Sequence, residues 1–444
     1  MKLVAMAVEP NILVIVCDTL RKDILGVYGG PANTPNIERL ANDSVVYQNA
    51  IAPSTWTLPS HISLFTGLYA GQHMIREDGE RFDAIEIMEM SKRLKAVKLS
   101  EWLSKRGYVT TGVSNNPWIS SQTGFNYGFK EFSLLDNQPL WIIEGILQAS
   151  RLGSTKKEIL SRLVSGGEFR KIVEYGNVWT SKILYDFTHN FPMDKGARLT
   201  ADTLGDSNWG EKFFKFINMV EVHEPYRGEG DIERWGAMLG FRKQNLKRAE
   251  ELKKEYVRET EYLDRYVGKI IGTLKANGVY DDTMIIITAD HGQEFMEQGY
   301  MYHGIYVHDE IVRIPLIVKY PKGMRPTPAK GYQGLTTLNN MIKSVADGGS
   351  EESITEDFVF SESYGMCHVV PPRFLHEKID EDYSKTRVAV YENNYKLTYN
   401  VTDDIAEDMM LGKKHLDVRA NKRIIKDMLG LWNDMRRSKK SSGR

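Results

Sequence analysis

Short unbroken apolar runs punctuate the chain, and each ends in polar residues. Asn11 to Cys17, NILVIVC, stops at Asp18. Phe213 to Tyr226, FFKFINMVEVHEPY, carries His223 near its end, and Met284 to Gly292, MIIITADHG, delivers Asp290 and His291. Runs this short and rich in branched residues predict strands buried on both faces of a parallel sheet. Tyr108 to Trp118, YVTTGVSNNPW, and Ile314 to Pro321, IPLIVKYP, predict two more. Between them, Val97 to Gly107 and the highly charged stretch Lys247 to Gly278 space their apolar residues at helical intervals. Strands alternating with helices predict an α/β fold with a mostly parallel central sheet sandwiched by helices. Ligands in such folds gather at the carboxyl ends of the strands.

The pattern changes in two places. From 139 to 210 helix-like pieces with scattered aromatics predict an insertion packed over the sheet, a possible lid on a domain running from residue 1 to 346. From 347 to 444 a polar stretch precedes VFSESYG, an alternating hairpin pattern over Arg387 to Val401, and a final amphipathic helix, which predicts a smaller C-terminal α+β subdomain.

Composition narrows the partners. The 58 basic and 59 acidic side chains of the 444 residues nearly cancel, so no overall field favours nucleic acid or an anionic membrane. No segment approaches the roughly 20 apolar residues of a membrane span. The only cysteines, Cys17 and Cys367, are too few for a disulfide framework or a thiolate zinc site. With a start that lacks a long apolar region, they point to a cytoplasmic protein. Nothing in the pattern speaks to oligomeric state.

Three strand ends carry metal-ligand chemistry: Asp18, His223, and the pair Asp290–His291. Carboxylate oxygens and imidazole nitrogens at adjacent strand ends can converge on a divalent cation. Thr57 to Gly67, TLPSHISLFTG, adds a helix start. Pro59 suits the first turn, which leaves Thr57 just ahead of N–H groups that favour an anion. A hydroxyl there, beside a cation, can attack a phosphorus or sulfur centre; the alternative is that Thr57 or Ser60 simply caps the helix. Asn115 and Asn116 end the YVTTGVS strand and could bind an ester, although Asn-Asn-Pro is also ordinary turn chemistry.

Asp18-Thr19-Leu20-Arg21, TPNIERLA (Thr34 to Ala41), TLPSHISLFTG, TADHGQ (Thr288 to Gln293), and His303-Gly304 followed by DEIVRIPLIV resemble, in that order, the motifs of the sulfatase branch of the alkaline phosphatase superfamily. The resemblance implies a metal-dependent hydrolase of small anionic esters, with Asp18, Asp290 and His291 as metal ligands and Thr19 where sulfatases usually have a second Asp. It puts Thr57 on the cysteine or serine that sulfatases convert to formylglycine, and His61 on that residue's partner arginine. His223 and His303 fall on residues that contact the transferred group. Threonine cannot become formylglycine, so a phospho- or sulfo-threonine would have to be cleared by water or another acceptor. Superfamily members that use threonine this way, nucleotide phosphodiesterases and phosphoglycerol transferases, act on phosphate esters. The expectation is therefore a phosphate monoester, diester or phosphonate substrate ahead of a sulfate ester, with a transferase and a non-catalytic anion- and metal-binding homologue as alternatives. A mixed oxygen and nitrogen donor set suits one Mn²⁺ or Zn²⁺ better than Ca²⁺. Glu221 and His223, two apart on a strand, leave a second metal site short of ligands.

Overall fold

The computed structural model describes residues 10–77, 84–135 except 95, 194–238 except 208, 211, 228 and 230, and then 245–324, 331–349, 356–365 and 381–437. Seven strands form the central sheet: β1 (Asn11–Cys17), β2 (Val45–Tyr47), β3 (Val109–Ser114), β4 (Glu131–Leu134), β5 (Phe213–Met219), β6 (Thr283–Thr288) and β7 (Leu316–Lys319). Their order across the sheet is β2, β7, β6, β1, β5, β3, β4. Every residue of β1, β5 and β6 is buried, as their unbroken apolar patterns require.

Strands β6, β1, β5, β3 and β4 run parallel, which brings their carboxyl ends to one edge. β7 runs antiparallel to both β6 and β2. Residues 292–293 explain the reversal, because the Gly292 and Gln293 amides bond Ile311 O and Glu310 O and fold the chain straight back without a crossover. A Cβ at Gly292 would overlap Glu310 O, so only glycine permits this approach.

Helix α1 (Thr57–Thr66) is buried from Thr57 through Phe65 and packs on α4 (Leu335–Ala346), while α2 (Ala197–Gly205) lies along the long α3 (Leu246–Ala276). Residues 139–193 of the expected insertion fall outside the described residues. The part beyond them includes α2, which buries Ala197, Thr200, Ala201 and Leu204. A five-stranded antiparallel sheet follows, β8 (Phe358–Ser363), β9 (Arg387–Glu392), β10 (Tyr395–Asn400), β11 (Ile405–Leu411) and β12 (Lys414–His415), in sequence order. Helix α5 (Lys422–Arg437) covers it with Ile425, Met428 and Trp432. Among the described residues no helix is long and apolar enough to cross a membrane.

Candidate active site

Asp18 follows β1 and Asp290 follows the neighbouring β6, so in-register parallel pairing sets the two carboxylates side by side. Together with His291 they bring one donor atom each within 4.8 Å of one another, all fully buried. Asp18 Oδ1 and Asp290 Oδ2 have no hydrogen-bond partner, and they lie 3.7 and 3.5 Å from His291 Nε2. His291 Nδ1 sits 3.0 Å from Gly292 O, and because a carbonyl only accepts, Nδ1 carries the proton and Nε2 the lone pair. Two orphaned carboxylate oxygens and one imidazole lone pair converging in a dry site fit a divalent cation.

The charges agree with that fit. Burial, reinforced by the adjacent Asp290 carboxylate, pushes Asp18 up to about 6, and burial pushes Asp290 up to about 7. Protons therefore compete with a cation below about pH 7, and the competition ends once both carboxylates ionise. Adding Mn²⁺ or Zn²⁺ to the chelated protein should accordingly raise its melting temperature more at pH 8 than at pH 5. A thermal shift that did not grow with pH would contradict this donor set.

Thr57 is the first residue of α1, not a residue ahead of it. Trp56 takes the N-cap position, without a side-chain cap bond. Ser60 Oγ donates to Ser54 O, so neither hydroxyl of the motif caps the helix. Thr57 Oγ1 instead lies 3.4 Å from both Asp18 Oδ2 and His291 Nε2, at the wall of the cation cluster. Behind it, His61 Nδ1 donates to Thr57 O at 2.9 Å and Asn218 Nδ2 donates to His61 Nε2 at 3.4 Å. Fully buried against the edges of Phe125 and Phe216, His61 is pushed down to about 3 by burial. It is neutral and braces the first turn of α1, and its Nδ1 also lies 3.5 Å from Asp290 Oδ2, so it packs directly against the carboxylate cluster.

Thr19 has a left-handed backbone, φ 60°, which is strained for a β-branched residue. Its hydroxyl donates to Asp18 O at 2.7 Å and its amide to Asp290 Oδ1 at 3.2 Å. The ligand role implied for Thr19 is thus replaced by an amide that fixes Asp290. The two asparagines part company because successive side chains leave an extended chain on opposite sides. Asn116 Nδ2 holds Asp18 Oδ2 at 2.7 Å, whereas Asn115 Nδ2 turns away to Leu135 O and Thr200 Oγ1. Arg21 pairs with Asp23 and Glu297.

His223 and His303 lie beside this cluster, their rings 5.1 Å apart, with His303 only 4.4 Å from the His291 ring. Gln293, quoted in the TADHGQ motif but given no role there, ties them together. Its Nε2 donates to Glu224 Oε2 and Tyr226 Oη, and its Oε1 lies 2.7 Å from His303 Nδ1. Glu221 turns the other way, accepting from Ala197 N. Lys195 Nζ, fully buried, pairs with Glu259 at 2.8 Å and also reaches the carbonyls of Glu221 and His223, fastening the turn that presents His223.

Converging carboxylate and imidazole donors, a hydroxyl at a helix start and paired histidines on one edge of an α/β sheet suit a hydrolase of sulfate or phosphate esters, the class to which the chain's relatives belong. A family model described as Sulfatase matches residues 10–348, and the chain belongs to the sulfatase family. The sulfatase YidJ of Escherichia coli is 24% identical over 74% of this chain and 67% of its own length. The iduronate 2-sulfatase of Mus musculus is 23% identical over 82% of this chain and 70% of its own. Among solved structures, a 2-O GAG sulfatase superposes with TM-score 0.65 at 16% identity, covering 98% of this chain and 93% of that one. The phosphonate monoester hydrolase of Agrobacterium radiobacter gives 0.58 at 16% identity, covering 96% and 94%. These likenesses establish the alkaline phosphatase fold.

Proposed function

We propose that this protein hydrolyses phosphate-type esters, whether monoesters, diesters or phosphonates, with the unmodified Thr57 hydroxyl as nucleophile. The observation that carries the reading is Thr57 Oγ1 itself, unused as a cap and 3.4 Å from Asp18 Oδ2 and His291 Nε2. Asp18, Asp290 and His291 would hold one divalent cation, and two oxygens with one imidazole nitrogen suit Mn²⁺ or Zn²⁺ better than Ca²⁺. When bound, the cation supplies positive charge that favours ionisation of a neighbouring hydroxyl and draws in an anionic ester.

Thr57 Oγ1 forms a bond to phosphorus as the bond to the leaving oxygen breaks, and its proton is lost toward Asp18 Oδ2. The first-turn amides of α1 and the face carrying His223 and His303 receive the transferred oxygens. The proton taken up at Asp18 passes to the released alkoxide, water then attacks phosphorus, and one of the water's protons goes to the departing Thr57 oxygen, which leaves as its free alcohol. Phosphorus supports this second in-line displacement. The phosphonate monoester hydrolases among the structural neighbours are consistent with such a substrate, said of those proteins.

The test is a set of esters with one shared aryl leaving group: sulfate, phosphate monoester, phosphate diester and phosphonate. A phosphorus ester should exceed the sulfate ester in kcat/KM by tenfold or more, about 1.4 kcal/mol of transition-state preference. Faster turnover of the sulfate ester by protein carrying unmodified Thr57 would overturn the assignment.

A further inference from the structure

Past the end of β5 the chain turns through 220–224 to present His223. The carbonyls of such a turn have left the sheet and need donors from elsewhere. Val220 O accepts from the His223 amide at 3.1 Å, Val222 O from Tyr226 Oη at 3.1 Å, and Glu224 O from His223 Nδ1 at 2.7 Å. The remaining two, Glu221 O and His223 O, both accept from Lys195 Nζ. One ammonium therefore grips the carbonyl of His223 itself and the carbonyl two residues before it.

An ammonium has three N–H groups, and Glu259 Oε2, 2.8 Å away, takes the third. Lys195 is wholly buried. Glu259 reads as one more solvent-facing charge in the highly charged sequence of α3, yet it is only 1% exposed. The stitch runs in both directions, because the Glu221 side chain accepts from the Ala197 amide at 2.6 Å, two residues after Lys195. Taking two charges out of water is costly, and apolar side chains of similar size would join α2 to α3 about as well. Stability alone does not account for this pair. What apolar side chains could not do is donate to the carbonyls of residues 221 and 223.

We propose that Lys195, held by Glu259, is a positioning residue that sets the place of the His223 ring. It touches no substrate. It fixes the turn whose ring, 12% exposed and 5.1 Å from the His303 ring, faces the transferred oxygens. The proposal rests on the role given to His223 in the proposed function, and it makes the placement of that ring depend on a residue outside the central sheet.

Lys195→Met alone would leave the Glu259 carboxylate buried without its partner, so the test replaces both, Lys195→Met together with Glu259→Leu. Circular dichroism of the doubly substituted protein should match the wild type. On the best ester of the set its kcat should fall about 10- to 100-fold with KM within about threefold, as when a group that meets the transition state is displaced. Glu259→Gln keeps an oxygen for Lys195 and both carbonyl bonds, and should stay within about threefold of the wild type. In a His223→Gln protein the double replacement should cost no more than about threefold further, because the ring it places is gone. A double replacement with wild-type kcat, or one that costs as much with His223→Gln as without it, would overturn the proposal.

A second readout needs no substrate. In protein labelled at its histidine nitrogens, the His223 Nδ1–H resonance is assigned by its absence from His223→Gln. It should broaden or vanish in the doubly substituted protein, as the turn loosens and the bond to Glu224 O opens to water. An unchanged resonance would overturn the proposal whichever ester is cleaved. A wild type that cleaves no phosphorus ester would count against the proposed function, and this resonance would still decide the role of Lys195.

Discussion

Replacing Thr57 by alanine should remove turnover by three orders of magnitude or more, since a deleted nucleophile forfeits the whole covalent route. The fold should be nearly untouched. Trp56 holds the N-cap position, and the Thr57 hydroxyl's contacts with Asp18 Oδ2 and His291 Nε2 are long, 3.4 Å each, so truncation costs stability on the order of 1 kcal/mol or less. Thr57→Ser keeps the oxygen and should keep measurable activity. Mass spectrometry of acid-quenched protein should then find the phosphoryl or alkylphosphoryl group on the peptide that contains residue 57. A Thr57→Ala protein with wild-type kcat/KM, measured on the best ester of the set, would remove the hydroxyl from the mechanism.

Asp290→Asn should separate stability from activity in opposite directions. The amide oxygen can still accept from the Thr19 and His291 amides, so local geometry is preserved. What disappears is one of two like charges crowded into a dry site. Burial raises Asp290 to about 7, and above that pH the metal-free wild type carries two ionised carboxylates with orphaned oxygens. A carboxyl raised in the folded state favours folding at low pH and penalises it once pH exceeds the folded value. At pH 8 the metal-free Asp290→Asn protein should therefore melt above the metal-free wild type. Its melting temperature should scarcely respond to added Zn²⁺ or Mn²⁺, and its activity should fall by at least a hundredfold. Differential scanning calorimetry with and without chelator reads both effects. A metal-free variant less stable than wild type, with an intact metal response, would contradict the reading of Asp290 as a ligand.

Much of this was legible because it depends on short-range pattern. NILVIVC had to be a fully buried strand, and whatever followed it had to emerge at the sheet edge, which puts Asp18 and Asp290 together once their strands pair. The direction of β7 was not legible, since its apolar run is the same read parallel or antiparallel, and the deciding bonds come from Gly292 and Gln293. The resemblance to sulfatases puts His61 on the partner of residue 57. Only the structure reveals that it spends Nδ1 on the carbonyl four residues back and Nε2 on Asn218. Gln293 was visible as the last letter of a motif, but its importance rests on Glu224, Tyr226 and His303, which no local pattern joins to it.

Leu135, just past the end of β4, and Gly196, just before α2, lie against the same side chain. Asn115 grips Leu135 O with its amide, and Gly196 packs against that same amide so closely that a side chain there would collide with it. Two residues before the start of α2, Lys195 fastens the re-entering chain to the turn bearing His223. One asparagine side chain therefore joins the end of β4 to the start of α2. Asn115 thus rivets the end of β4 to the first turns of α2, and Asn115→Ala, which leaves Leu135 O and Thr200 Oγ1 without that amide, should loosen α2 from the sheet edge before it disturbs the strands themselves.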